Sequence, residues 1–263
     1  MKYSIFFVFL ILLFGSLKIQ AQYKNKYKLT DEDRTALEGI IVERYYVSDT
    51  SNVLDKDTTG GVLPIGSITY RIYVDMKPGY SLQLVYGNKK HLLCIKTTTT
   101  FFNNTYVSAL TGFNIHEKEF NKNTVALDSW LTMGAACRLY TGIPLLDDKD
   151  GSVLKGRPSL GKADGFTNGT FPYFKQFNLD MNFFNQTKND SVFSTNNGGW
   201  AAAGGVKGPN DDNKVLIAQL TTNGKLSFEL NIQLGTPTGG MVKFVTGNPE
   251  ESEIKFDELK YNN

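Results

Sequence analysis

The chain has 263 residues, a formal net charge of +2, two histidines and two cysteines. So even a charge balance argues against a nucleic-acid or acidic-membrane partner held by bulk electrostatics, because such binding works by neutralising many phosphates. Two histidines leave little for a zinc shell or a serine–histidine–aspartate triad.

Met1-Lys2-Tyr3-Ser4 places a positive charge ahead of the apolar run Ile5 to Phe14, and Ile19-Gln20-Ala21 ends on a small residue. Charge, short apolar run and small-residue exit make residues 1–21 a cleavable secretory signal. A membrane span needs about 20 apolar residues, which this run does not reach. Cleavage removes Lys2 and Lys18 and no acid, leaving 26 basic and 26 acidic side chains in a mature chain of 242 residues. No second apolar stretch follows, so the expectation is a mature chain with no membrane span, secreted to the periplasm or the exterior.

Residues 22–38 are polar, with Asp31-Glu32-Asp33-Arg34 as a short helical turn. Gly39 to Val47 is rich in β-branched and aromatic residues and reads as a strand. After the polar loop Ser48 to Gly61, Ile68 to Asp75 alternates with Tyr70, Ile72 and Val74 on one face. Lys77-Pro78-Gly79 is a turn, Leu82, Leu84 and Tyr86 alternate again, and Gly87-Asn88 leads into Leu92 to Thr97. Glu117 to Asn121 suits a single helical turn. Residues 146–212 break the rhythm and read as a loop-rich excursion. Val215 to Thr222 then leads through Asn223-Gly224, a strong hairpin signal, into five period-two repeats carrying Leu226, Phe228, Leu230, Ile232 and Leu234. Ile254 to Leu259 suits a closing strand. The expectation is an all-β fold: one antiparallel β-sandwich over 22–263, jelly-roll-like, with long irregular loops.

Three stretches carry a resemblance. They are Thr69 to Val74 with Leu84 to Gly87; Thr98 to Asn103 followed by Asp128 to Ala135; and Val215 to Thr222 with its partner. In this order they resemble an uncharacterised β-sandwich module of secreted bacterial proteins, notably of the Bacteroidetes, over most of residues 39–235. The resemblance implies a sandwich and a secreted habit, and brings no catalytic residue.

The candidate site residues each have a bland counterpart. Cys94 and Cys137 form either an export-type disulfide, contributing about 3–4 kcal/mol for so long a loop, or two separately packed thiols. His91 and His116 stand in different segments, and His91, after Lys89-Lys90, reads as solvated. Carboxylates for glycoside hydrolysis are available from Glu43, Asp75, Glu117, Glu119, Asp128 and Glu229. Of these, Asp128 with Glu43 or Glu119 is the best pair, and it requires two carboxyl groups facing one cleft at about 5–10 Å. Asp147 to Gly151 is acidic and makes Asp148 and Asp150 the candidate calcium ligands, although Leu146 at the first position rules out an EF-hand loop. Asn210 to Asn213 is a second acidic turn. Nine aromatics between Phe166 and Trp200 either pin loops onto the fold or present a stacking surface, with Trp130, Tyr173 and Trp200 as the candidate ligand contacts.

Taken together, the sequence leads to an expectation of a secreted, non-enzymatic binding or structural module. A glycan or an envelope protein would be its partner, and no cofactor other than calcium is indicated. The alternatives are carbohydrate processing or binding, and calcium-stabilised adhesion. Intact-mass analysis of exported protein should show a chain beginning at Gln22; a chain retaining residues 1–21 in the exported fraction would contradict the signal assignment.

Overall fold

A computed structural model describes residues 28–149, 151, 153–154, 163–169, 174–184 and 190–263. Residues 1–21, where a signal is expected, and Asp150, Phe171 and Tyr173 lie outside the described residues. Two one-turn α-helices stand near the start, and both are held by side-chain caps. In Asp31–Arg34 the Thr30 hydroxyl accepts from the Asp33 N–H at 3.1 Å, while the Asp33 carboxylate accepts from the Thr30 N–H at 2.8 Å. Thr50–Leu54, within the expected polar loop, is capped by Asp49, which accepts from the Ser51 N–H.

The strands follow in order. They are β1 (Leu37–Val47), β2 (Ile68–Met76), β3 (Ser81–Gly87), β4 (Leu93–Thr97), β5 (Trp130–Leu131), β6 (Tyr140–Gly142), β7 (Phe166–Asn168) and β8 (Phe174–Phe177) in the first part of the chain. They continue as β9 (Val192–Thr195), β10 (Gly198–Val206), β11 (Lys214–Thr222), β12 (Leu226–Glu229), β13 (Ile232–Gly235), β14 (Met241–Val245), β15 (Glu253–Lys255) and β16 (Lys260–Asn262). The first sheet has the order β1-β2-β11-β5, the second β15-β14-β13-β3-β10-β8 and the third β16-β12-β4-β9, with β6-β7 as a separate pair. Pairing is antiparallel except for β15, which runs parallel to β14. The chain is therefore all-β.

The first sheet is buried on both faces. One face sends Tyr70, Ile72, Val74, Ile217 and Leu220 into the main core, where they meet Leu82, Val85, Trp200 and Ile232 of the second sheet and Leu93, Ile95 and Phe228 of the third. The other face carries Tyr45, Tyr73, Leu216 and Trp130 into a second cluster, covered by Ala109, Ile115, Phe120, Val125 and Phe166 from the long connections. This explains why Val215 to Thr222 reads as a nearly continuous apolar run: a strand with two dry faces loses its alternation.

Four departures from the simple alternating pattern have local causes. In β3, Leu82 and Val85 enter the core while Leu84 is only half-buried, because the pairing with β13 steps from Leu84 to Leu82 and skips Gln83, a bulge that exchanges the faces. Asn223-Gly224 turns the chain without making a hairpin: β11 pairs with β2 and β5, and β12 with β4 and β16. At that corner the Thr97 and Thr222 hydroxyls meet at 2.7 Å, and the Lys225 N–H donates to the Thr98 hydroxyl at 2.9 Å. The period-two run 226–234 keeps all five apolar side chains buried but breaks at Leu230-Asn231 and passes from the third sheet to the second. Ile254 to Leu259 is likewise divided between β15, a 3-10 turn at Asp257–Leu259 and the start of the chain toward β16.

Asn231 lies on the face expected to be wet, yet it is fully buried. Its side-chain N–H group donates to the carbonyls of Tyr86 at 3.0 Å and His91 at 3.3 Å, and its backbone carbonyl accepts from the Tyr86 N–H at 2.9 Å. Replacing Asn231 by Ala takes the side-chain donor away from the buried Tyr86 carbonyl and one of two donors away from the His91 carbonyl, which keeps the Asn88 N–H, so urea unfolding should show a loss of about 1–3 kcal/mol; a change below about 0.5 kcal/mol, as at an ordinary surface position, would show that the corner does not depend on it.

Candidate functional site

The residues singled out for carbohydrate chemistry converge on the second face of the first sheet, but not as a cleft. Register places Glu43 opposite Arg71, Arg71 opposite Gln219, and Gln219 opposite Trp130, a row across all four strands. Arg71 is completely buried. Its Nε donates to Gln219 Oε1 at 2.9 Å, its Nη1 donates to the Gly165 carbonyl at 2.9 Å, and its guanidinium lies 3.6 Å from the centre of the Tyr45 ring. Gln219 passes the row on by donating to the carbonyls of Ala126 and Asp128. Glu43 accepts from the Leu145 N–H at 2.7 Å, and burial raises its carboxyl group despite that bond and the nearby Arg71.

Asp128 is also completely buried, beside the start of β5. Three strand spacings separate that position from β1, roughly 14 Å at about 4.8 Å per strand. Its Oδ1 accepts from the N–H groups of Asn104 at 2.6 Å and Ser129 at 2.9 Å. Glu43 and Asp128 are thus internal fastenings of the covering layer and do not face one another across a cleft. Glu119 sits on a separate 3-10 turn, Glu117–Asn121, and Glu229 pairs with Lys260.

The other candidates are also placed. Trp130 and Trp200 are 1% and 0% exposed, so neither offers a ring to a ligand; the Trp200 Nε1 instead donates to the Thr132 carbonyl at 3.1 Å. Phe183, Phe184 and Phe193 form a packed triangle with ring centres 5.0–5.3 Å apart, so much of the aromatic run pins the excursion onto the main core. Cys94 and Cys137 are both free thiols, the second of the two alternatives left open by the sequence. Alternation turns Leu93 and Ile95 into the main core and leaves Cys94 on the outside of the third sheet, whereas Cys137 lies in the second cluster behind the first sheet.

His91 is not solvated. Its Nε2 lies 2.8 Å from Glu253 Oε2, with the two side chains only 2% and 4% exposed, because the segment leading to β15 folds over the turn before β4. The two histidines do not meet; His116 lies beside Arg138 instead.

The two acidic turns do come together, around a lysine: Lys214 Nζ lies 3.0 Å from Asp147 and 3.2 Å from Asp212. Asp148 accepts from the N–H groups of Gly151, Asp164 and Gly165. Burial works against its ionisation, but these donors outweigh it and hold the carboxyl low. Asp164 beside it is pushed up by its own burial and by Asp148. A carboxylate so surrounded by N–H groups is already satisfied as an anion. Among the described residues no three histidine, cysteine or acidic side chains are grouped to hold a metal ion.

A cleft with the character of a binding site lies elsewhere. The first sheet ends at β5, prolonged only by a bridge between Leu131 and Thr111, and the second sheet ends at β8. Between these ends the main core is open to the outside through a cleft of about 540 Å³. Met133 and Met181, both members of the main core, form its floor, and Leu110 and Phe174 pack beside them. Thr111, Phe113, Asn114 and Gln176 form its rim, with Phe113 45% exposed. The Thr111 N–H and hydroxyl both donate to Asn114 Oδ1, at 3.1 and 3.0 Å, which fixes that corner.

Among the described residues, no titratable side chain lines the cleft. Its size and apolar lining suit capture of an uncharged group, and its few amide and hydroxyl groups suit orientation of a ligand rather than proton transfer or nucleophilic attack. Of its residues, sequence reasoning had noticed only Phe174, as one of nine aromatics. An isolated Phe113 in a polar stretch and two methionines far apart in sequence carry no periodic signal. Compared with protein-family models, curated proteins and solved structures, the chain matches none. Among the described residues no helix is long and apolar enough to cross a membrane.

Asp128 yields a pH prediction. Burial holds its carboxyl well above the usual range, against the Asn104 and Ser129 N–H groups. Folded, it keeps its proton where the unfolded chain gives it up near pH 3.9. Folding then takes up a proton, and stability falls as pH rises above about 4 until the folded value is passed. Asp128→Asn removes that dependence, so as pH rises above about 4 the variant should gain on the wild type by up to about 1.4 kcal/mol per pH unit in urea unfolding. Parallel stability curves would show Asp128 to be ionised in the folded protein.

Proposed function

We propose that the protein is a secreted, non-enzymatic binding module that takes an uncharged apolar group into the cleft between β5 and β8. The observation that carries this reading is the cleft itself: an opening of about 540 Å³ above buried main-core methionines, with Leu110, Phe113 and Phe174 partly exposed in its walls and no charged group among the described lining residues. A closed core would bury these surfaces, and apolar surface left open and rimmed by polar groups is characteristic of contact sites. The N-terminal segment, with Lys2 before the run Ile5 to Phe14 and Ala21 before Gln22, supports the secreted part. The positions of Glu43 and Asp128, each fastened within the covering layer, favour binding over glycoside hydrolysis.

An uncharged solvatochromic dye, Nile red, tests the reading. Its emission should rise and shift to the blue on titration with the wild-type protein. Thr111→Trp, which fills the rim, should weaken that response by at least about tenfold while leaving the far-ultraviolet circular dichroism unchanged. Equal binding by both proteins would place the dye elsewhere and overturn the assignment of the cleft.

A further inference from the structure

We propose that the occupant of the cleft is an extended polypeptide strand, which adds to the free edge of β8 and inserts alternate apolar side chains into the seam. This rests on the cleft being a binding site and names the class of its partner. The first support is the sheet order. β8 is the last strand of the second sheet, and among the described residues it pairs with β10 alone. An unpaired edge presents a row of N–H and C=O groups spaced for a further strand. Lys175, Gln176 and Phe177 are exposed there, as expected if solvent covers that edge.

The second support is the facing of side chains. Phe174 stands opposite Ala202 and Gln176 opposite Trp200, and both partners on β10 belong to the main core. The Phe174–Gln176 face of β8 therefore continues the core face of the sheet, and these two side chains form one wall of the cleft. A strand added about 4.8 Å further out would turn every second side chain over the cleft, toward Met133 and Met181. A small apolar molecule could fill the same space but would leave the edge of β8 unpaired. A strand satisfies both features, which is the chemistry of β-strand addition.

The third support is charge. Among the described residues the cleft has no charged lining, so the inward positions of the partner strand are uncharged. Lys175 lies on the opposite face of β8 and is exposed. A directly cross-strand position favours the opposite charge, so the outward positions of the partner are polar and include an acidic residue beside Lys175. The partner is therefore a segment in which apolar residues alternate with polar ones, acidic at one outward position.

The probe is a fluorescein-labelled peptide about nine residues long, with valine at every second position, threonine between, and glutamate at the centre. Two further versions carry backbone N-methyl groups, one at the valines and one at the intervening residues. Only one of these sets of N–H groups can face β8 in a strand pairing. Fluorescence anisotropy should show binding of the parent to the wild-type protein, loss of at least about tenfold with one methylation pattern, and a change within about threefold with the other. Thr111→Trp should abolish binding of the parent, and the parent should displace Nile red. Equal affinity of all three peptides would remove the edge from the interaction and overturn the inference. If Nile red binds at the cleft and no peptide does, the strand inference fails and the binding function stands; if neither binds, both fail.

Discussion

The guanidinium of Arg71 occupies the middle of the first sheet with no contact to solvent, and the organisation of the protein on that side follows from satisfying it. A buried cation is costly unless it is both paired and hydrogen-bonded. Here Gln219 on the neighbouring strand, the Gly165 carbonyl from the excursion and the Tyr45 ring supply the partners, and Glu43 supplies the opposite charge along the same row. Gly165 has φ +72°, and a Cβ there would lie 2.6 Å from the Arg71 Nη1, so the approach of that carbonyl depends on glycine. The cation thus draws residues far apart in sequence onto one sheet face and converts that face into a second interior.

Once the sheet is dry on both sides, its covering layer needs its own polar anchors. The Asp128 carboxyl group, the Gln219 amide and the Thr221 hydroxyl, which donates to the Leu127 carbonyl at 2.6 Å, take up backbone groups of Asn104, Ala126 and Leu127 in a segment with little regular structure of its own. Acidic residues that resemble catalytic pairs in the sequence are used up in this way. Irregular backbone can be buried only where each N–H and C=O finds such a partner.

The same layer leaves the opposite margin of the sheets open. The covering segment reaches β5 and bridges it through Thr111, but among the described residues the second sheet stops at β8, so a cleft lies over the main core there, with Met133 and Met181 buried beneath it. The proposed binding function and the proposed strand partner both rest on that mismatch in sheet length. Elsewhere on the main core side, the buried His91–Glu253 pair ties the C-terminal segment over the β3–β4 turn, so the cleft is a local feature of the fold.

Much of the fold was legible wherever a strand has one wet face and one dry one. The alternation of Tyr70, Ile72 and Val74 located β2, and the five repeats from Leu226 to Leu234 named the right buried side chains. β10 was not legible: its sequence, Gly-Gly-Trp-Ala-Ala-Ala-Gly-Gly-Val, has no strand-forming pattern. It is a central strand because a Cβ on Gly199 would overlap the Val85 carbonyl, so only glycine lets the backbones approach so closely. The bulge at Gln83, the corner at Asn231 and the separation of Cys94 from Cys137 are equally invisible, since each depends on which strand a neighbour pairs with. Composition and hydrophobic period by themselves determined an all-β chain, the main strands and their inward faces, because burial of apolar side chains is a local choice of face repeated along each strand. Tertiary structure alone decided the row through Arg71, the burial of both tryptophans and the open seam between β5 and β8, because these depend on long-range pairing and on where two sheets end relative to each other.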